Sequence, residues 1–527
     1  VKFQRITAVK LLIACFMLVT VVFPLITMLV NLAGTDVAGI ITSVQFRQAL
    51  RHSLVSAAAG TVISIVIAYI FALCVARTNM PHRGVFSVLA TVPMLIPSIS
   101  HGFGLLILLG SNGILTRFFG WSGSVYGFGG IVIGAVLYAF PVAFLMLVDV
   151  LKYEDGSPYE AAAVLGIPRK NQFFSITFPY LRKPLISVVF ATFTLIFTDY
   201  GIALMIGGRY MTLPVFMYQE VIGLLNFGKG SVVGAVLLIP AVIAFAFDLM
   251  NKDRGNQSFV VQTISKPENK SRDMAAMVYC VIICAAIALP IIVFAVISFV
   301  RKYPLDMRFS FDNVLKTMNL GAGRYLLNSL VISLGVSVLG TIVSYFTAYF
   351  TARTPGKSSK FLHLISITSL AIPGMVLGLS YVLFFKGSFI YGTIAILILV
   401  NTVHFMASPY LMAYNSLGKL NSNLEAVGLT LGISRRSIIK DVLIPQTKLT
   451  ILEMFSYFFV NCMMTISAVS FLSTVRNKPI SLMITQFEAQ MLLESSAFVS
   501  LIILGCNLLM KTAVYLIDRK VKKSGEL

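Results

Sequence analysis

Charge is scarce in this chain. Of 527 residues only 12% are Asp, Glu, Lys or Arg, about half the share of a soluble globular protein. That shortage excludes an ordinary soluble enzyme. Cysteine is scarce too, and all six (Cys15, Cys74, Cys280, Cys284, Cys462, Cys506) fall inside apolar blocks, where a thiol behaves as a small hydrophobe and a disulfide framework is not expected. Cys280 and Cys284 are four apart on one helix face but have no further ligands beside them, so they read as packing, not metal. Acid is scarcer than base, 20 Asp and Glu against 41 Lys and Arg. The basic excess crowds into short polar loops, where it bears on membrane topology and gives no reason to expect nucleic acid as a partner.

What is abundant is apolar surface, 57% of residues, in blocks of about 20 or more, long enough to cross a bilayer's hydrocarbon core. Runs near 11–33, 53–76, 85–110, 127–150, 185–207 and 231–250 read as six spans. Six more lie near 274–300, 325–352, 361–385, 390–416, 449–472 and 495–517. The first block is too long for a signal-peptide core and reads as a retained span. The polar stretch 251–273 separates the sets as a linker, which divides the chain into a first six-span half, 1–250, and a second, 274–527. The expected fold is an all-α integral membrane protein of about twelve transmembrane helices. Placing the N-terminus inside puts most Lys and Arg in the inner segments, so both termini are expected in the cytoplasm.

The two halves repeat. Ser53-Leu54-Val55 recurs as Ser329-Leu330-Val331, Ala76-Arg77-Thr78 as Ala352-Arg353-Thr354 and Ile96-Pro97 as Ile372-Pro373, each 276 residues on. Later the register becomes 266, pairing Gly166 with Gly432 and Pro179 with Pro445. An even number of spans per half gives parallel repeats, expected to relate by a pseudo-twofold axis along the membrane normal with a solute path between them.

Two inner loops carry the most specific pattern. Between spans four and five stands Glu160-Ala161-Ala162-Ala163-Val164-Leu165-Gly166, then Ile176-Thr177-Phe178-Pro179. Small alanines leave a shallow face on a short helix, Gly166 permits a tight turn, and Pro179 is expected to end a second short helix before span five. Between spans ten and eleven the plan returns as Glu425-Ala426-Val427-Gly428-Leu429-Thr430-Leu431-Gly432, then Val442-Leu443-Ile444-Pro445.

Here the sequence resembles the membrane permeases of binding-protein-dependent ABC importers, marked by EAA, three residues, G, nine residues, I, one residue, LP. The first copy matches, with Phe178 for the leucine. In the second, the family glutamate would fall on Ala426, and Glu425 is one residue early. The resemblance implies a type I importer fold in which each loop couples the spans to a cytoplasmic ABC ATPase, present in two copies. It also implies an extracytoplasmic solute-binding protein and surrounding lipid. Two halves fused in one chain are most similar to the ferric-iron type; permeases for 2-aminoethylphosphonate, thiamine and polyamines share the loops. No cofactor is expected in this chain, ATP and Mg being held by the partner ATPases.

Gly223-Leu224-Leu225-Asn226-Phe227-Gly228-Lys229-Gly230 imitates a phosphate-binding loop, but Gly230 stands where Ser or Thr should hold Mg and no strand is expected before it. The chain is therefore expected to lack ATPase activity of its own. Within the spans Asp199 is the conspicuous acid. It follows Pro179 by the 20 residues that separate Thr465 from Pro445, so the two hold equivalent places. Asp199-Tyr200-Gly201 also resembles a segment of ferric-iron permeases, whose second half often has glutamate where Thr465 stands. Asp199, Tyr200 and Thr465 are thus candidates for the translocation path or its gate, the alternative for Asp199 being a structural hydrogen-bonding role. His101 and His404 read as helix-to-helix hydrogen bonders, and Pro93, Pro97 and Pro373 as breaks in spans three and nine. An ion-coupled secondary transporter is the main rival, but relays of intramembrane charge are sparse. Asp149, Asp248 and Glu453 all fall near inner span ends. No paired aspartates, Ser/His pair or HExxH marks an intramembrane enzyme.

Overall fold

The computed structural model describes residues 2–120, 123–251, 266, 268–354 and 356–523, so most of the expected linker lies outside the described residues. The regular elements among the described residues are helices apart from one antiparallel hairpin, Val300–Lys302 paired with Asp306–Phe309, a small departure from the all-α expectation. Nine helices among the described residues are long and apolar enough to cross a membrane, and two bent pairs raise the number to eleven.

The eleventh expected span, 449–472, is the one that falls short: it is a helix only over Lys448–Met464, 17 residues, because Thr465 turns to extended backbone. The Ser481 hydroxyl holds that turn, donating to the Thr465 carbonyl at 2.7 Å. Span five stops at the equivalent point: the helix Phe178–Phe197 ends, and a separate short helix, Gly201–Ile206, begins after Asp199 and Tyr200.

The prolines act where the repeat places them. A residue preceding proline is pushed out of the helical region, and Ile96 and Ile372 both stand extended. Ser98–Leu109 and Gly374–Phe385 restart after them. In the second copy the bend between Lys357–Ala371 and Gly374–Phe385 is 111°.

Two compact units form. One comprises Ile41–Phe216 and Ile239–Ser310. Its central helix is Val44–Arg77, started by Ser43, whose side chain accepts from the Phe46 N–H. Phe71 packs edge-on against Phe140 and Phe144, with centroids 5.5 and 5.0 Å away. Helix Lys270–Ser298 closes against Ser98–Leu109 at Gly104, where a Cβ would lie 2.7 Å from that of Pro290. Phe103 stacks on Phe294 beside that contact.

The other unit comprises Val1–Ile40, Met217–Leu238 and Phe311–Leu527. Its central helix, Gly323–Arg353, meets Lys448–Met464 at Gly340, where a Cβ would come within 2.6 Å of the Phe458 ring. The first span belongs here, since the Tyr381 hydroxyl donates to the Thr20 carbonyl at 2.7 Å and Phe23 packs on Phe384. Each unit therefore contains the leading span of the other half of the sequence.

Candidate functional site: the paired inner loops

The first loop folds as helix Ser157–Val164. Glu160 and Ala161 face outward, and Ala162 is buried. The helix ends on Gly166 at φ +67°, and the Ile167 N–H reaches back to the Ala162 carbonyl at 2.9 Å. That six-residue closure is the Schellman ending, which favours glycine at its left-handed position. The second loop repeats it 266 residues on. Helix Leu424–Thr430 is followed by Gly432 at φ +71°, and the Ile433 N–H bonds the Gly428 carbonyl at 2.8 Å.

Beyond the glycine each loop carries a short helix, Arg169–Gln172 or Arg435–Ile438, and then a wide π turn, Phe173–Thr177 or Ile439–Leu443. The proline does not end that helix, as the sequence suggested. Pro179 lies in the first turn of Phe178–Phe197 and Pro445 in that of Ile444–Gln446. A proline without an N–H frees a carbonyl one turn earlier, which is where the backbone widens.

The loops differ in how they are held. Glu425 turns inward and is buried: its carboxylate accepts from Arg353 Nε at 2.8 Å and Nη2 at 2.5 Å. Arg353 also donates to the carbonyls of Leu420 at 2.8 Å and Asn421 at 2.6 Å, capping the end of the helix Ala407–Gly418. In the first loop Arg77 pairs instead with the buried Glu154. Tyr159 also donates to Glu154, and Thr177 lies 2.6 Å from the Tyr159 hydroxyl. Burial first, and then the hydrogen bond to Glu154, push the Tyr159 phenol up to about 12, so it stays protonated as the donor. By the 266-residue register Glu425 corresponds to Tyr159 and Leu420 to Glu154. The position of Glu160 corresponds to Ala426, and both face outward. Glu425 is therefore the partner of Arg353 and does not take the place of Glu160.

Sequence reasoning noted Arg77 and Arg353 only as marks of the repeat and missed Glu154 and Tyr159. The available signal was an arginine recurring 276 residues on at the end of an apolar helix. Such a cation requires a counter-charge once buried.

Asp199 is half-buried, accepts from the Ile202 N–H at 3.0 Å and is hydrogen-bonded by Ser98. It shares a small cavity with Ser53, Ser56, Tyr138 and Thr212, while Tyr200 is buried. His101 bonds the Pro97 carbonyl through Nδ1 at 3.3 Å and meets the Tyr138 ring edge-on. His404 lies against Gly374, the first residue after the second proline break. Among the described residues no three His, Cys, Asp or Glu gather as metal ligands. Lys229 of the glycine-rich decoy is engaged by Glu220 at 3.3 Å, and a π turn, not a strand, precedes it.

The family of binding-protein-dependent transport system inner membrane components matches the chain twice, over residues 60–252 and 340–523, and the chain belongs to it. It is thus a multi-pass permease of the ABC importer class with a fused pair of halves. It is 27% identical over 434 residues to the ferric transport system permease protein FbpB of Actinobacillus pleuropneumoniae, covering 78% of this chain and 63% of that protein. The putative ferric transport system permease protein FbpB 1 of Haemophilus influenzae is 25% identical, covering 86% of this chain and 76% of its own length. The thiamine transport system permease protein ThiP of Salmonella typhimurium is 24% identical, with 75% and 74% covered.

Proposed function

We propose that this chain is the membrane permease of an ATP-driven importer that carries ferric iron into the cytoplasm. An extracytoplasmic binding protein delivers the solute, two cytoplasmic ABC ATPase subunits supply the energy, and the spans alternate access between the two sides. The ATPases bind ATP and Mg; this chain does not. Both termini face the cytoplasm, which puts the loops at Glu160–Pro179 and Glu425–Pro445 on the ATPase side. The observation that carries the reading is the recurrence of one closed loop geometry, a short helix ending on a left-handed glycine, in both halves. A loop built twice on one plan suits two copies of one partner.

Ferric iron is favoured over thiamine, 2-aminoethylphosphonate and polyamines because two ferric permeases align over most of this chain. Asp199, Tyr200 and Thr465, at the matching helix ends, are assigned to the solute path. The test is reconstitution with the ATPase and binding protein encoded beside the chain, screening these solutes for stimulated ATP hydrolysis. Stimulation by ferric iron is the expected result. Uptake that needs no ATPase and collapses under a protonophore would establish the secondary-transporter reading instead.

A further inference from the structure

The two loops share a backbone plan but not a tether. In one unit the arginine ending the 34-residue helix Val44–Arg77 engages Glu154, which stands before the loop helix. From Glu154 the connection runs through the Tyr159 hydroxyl, on the loop helix itself, to Thr177, at the end of the π turn that enters the next span. One buried carboxylate thus joins the central helix, the loop helix and the following span. In the other unit the arginine ending the 31-residue helix Gly323–Arg353 grips Glu425 on the loop helix directly. Its remaining donors go to carbonyls at the end of the preceding helix. Thr177 corresponds to Leu443, a buried leucine, so the arginine–glutamate pair itself carries no hydroxyl branch to the following span among the described residues.

An isolated helix of seven or eight residues is not stable in water. Force applied to the outward faces of such helices reaches the spans only through whatever fixes them. Here that fixture is charge-assisted and buried, more directional than apolar contact and roughly twice as strong as a neutral hydrogen bond.

We propose that Arg77 and Arg353 are positioning residues for energy coupling, each fastening its ATPase-facing loop to the central helix of its unit, through Glu154 and Tyr159 in one and through Glu425 in the other. This rests on the loops being the coupling elements, as argued above. Its added content is that motion of a loop passes to the central helix through the arginine. The first loop also reaches span five through Tyr159 and Thr177, whereas in the other unit the central helix bonds the entry of the following span itself, Tyr345 to Thr447 at 2.9 Å.

The experiment uses the full complex, this chain with its ATPase subunits and binding protein in proteoliposomes. It counts solute moved per ATP hydrolysed, with ferric iron as the first probe and otherwise the solute that stimulates hydrolysis in the screen. Tyr159→Phe deletes one hydroxyl and Arg353→Lys keeps the charge while losing the two-pronged grip. Both are expected to retain the ATPase subunits on purification and to lower solute per ATP about three- to tenfold, the scale of a lost hydrogen bond. The exchange Arg353→Glu with Glu425→Arg is expected to recover coupling lost by Arg353→Glu alone. An unchanged ratio in both Tyr159→Phe and Arg353→Lys overturns the proposal. If Arg353→Glu fails to accumulate, Tyr159→Phe and Arg353→Lys still decide. Ala162→Trp, on the buried side of the loop helix, tests the underlying reading separately. Should it leave ATPase binding and uptake intact, the coupling role of the loops falls, and not only their fastening.

Discussion

Glu425 and Tyr159 occupy the same register of the two repeats and face the same partner position, yet Glu425 pairs its arginine with its own carboxylate, while Tyr159, its ring 5.8 Å from the Arg77 guanidinium, hydrogen-bonds the Glu154 that pairs with Arg77. The acid has moved along the chain while the cation has stayed. Each half therefore satisfies one geometric demand, an arginine at the end of its central helix, with a different set of side chains.

That arrangement sets unequal costs for the two loop glutamates. Glu425→Gln leaves Arg353, only 4% exposed, with a neutral partner, and losing a partner of a buried pair costs about 3–5 kcal/mol. Glu160 is exposed, so Glu160→Gln is expected to stay within about 0.5 kcal/mol of the parent. Thermal unfolding of the two purified variants in the same detergent checks the contrast, and equal midpoints would contradict it.

Much of this was legible in the sequence. The 276- and 266-residue registers, the extended residues before Pro97 and Pro373 and the left-handed Gly166 and Gly432 all follow from local chemistry. The cut at Thr465 was not, because the apolar run continues through Ile466, Val469 and Leu472 and hydropathy does not register a backbone turn held by the distant Ser481. Nor was the grouping of each leading span with the other half's helices, since an apolar helix face carries no address. Glu154 was hidden by lying ahead of the recognisable motif. The inward turn of Glu425 depends on the place of Arg353, 72 residues away in sequence.

Gly166 and Gly432 are expected to resist substitution for backbone reasons alone. Nothing stands within 4 Å of a Cβ built at either position, so space is not the constraint. A left-handed conformation costs a non-glycine residue about 1–2 kcal/mol. Alanine at each site should lower the unfolding midpoint slightly and loosen the ATPase subunits on purification. Proline at Gly166, which cannot adopt φ +67°, should abolish both ATPase retention and uptake. Full retention with Gly166→Pro would show that the loop ending is dispensable.

The Tyr159 phenol supplies a pH dependence with a definite sign. Its protonated form is favoured in the fold, with a pKa of about 12 against an ordinary value of 10.0. Its contribution is complete below pH 10 and is lost as pH rises through about 12, because the unfolded chain gives up this proton first. The stability difference between the parent and Tyr159→Phe should therefore be flat from about pH 6 to 9 and shrink in the alkaline range above it. Denaturation of both proteins across that range checks it, and a difference that changes near neutral pH would assign it to another group.

Asp199 can be probed without disturbing its structural bond. Asparagine keeps a side-chain oxygen able to accept from the Ile202 N–H, which lies 3.0 Å from the present carboxylate, and from Ser98. Asp199→Asn therefore removes charge and leaves the start of helix Gly201–Ile206 closed, so normal protein levels are expected. Asp199→Ala also removes the closure and should cost about 0.5–2 kcal/mol, the usual loss of a helix cap. If the carboxylate meets a cationic solute in the cavity with Ser53, Ser56, Tyr138 and Thr212, uptake of ferric iron by the asparagine variant should fall about tenfold or more, a loss of about 1.4 kcal/mol of interaction. Uptake at the parental rate in Asp199→Asn, with loss only in Asp199→Ala, would make the residue a helix cap and leave the solute path to neutral groups.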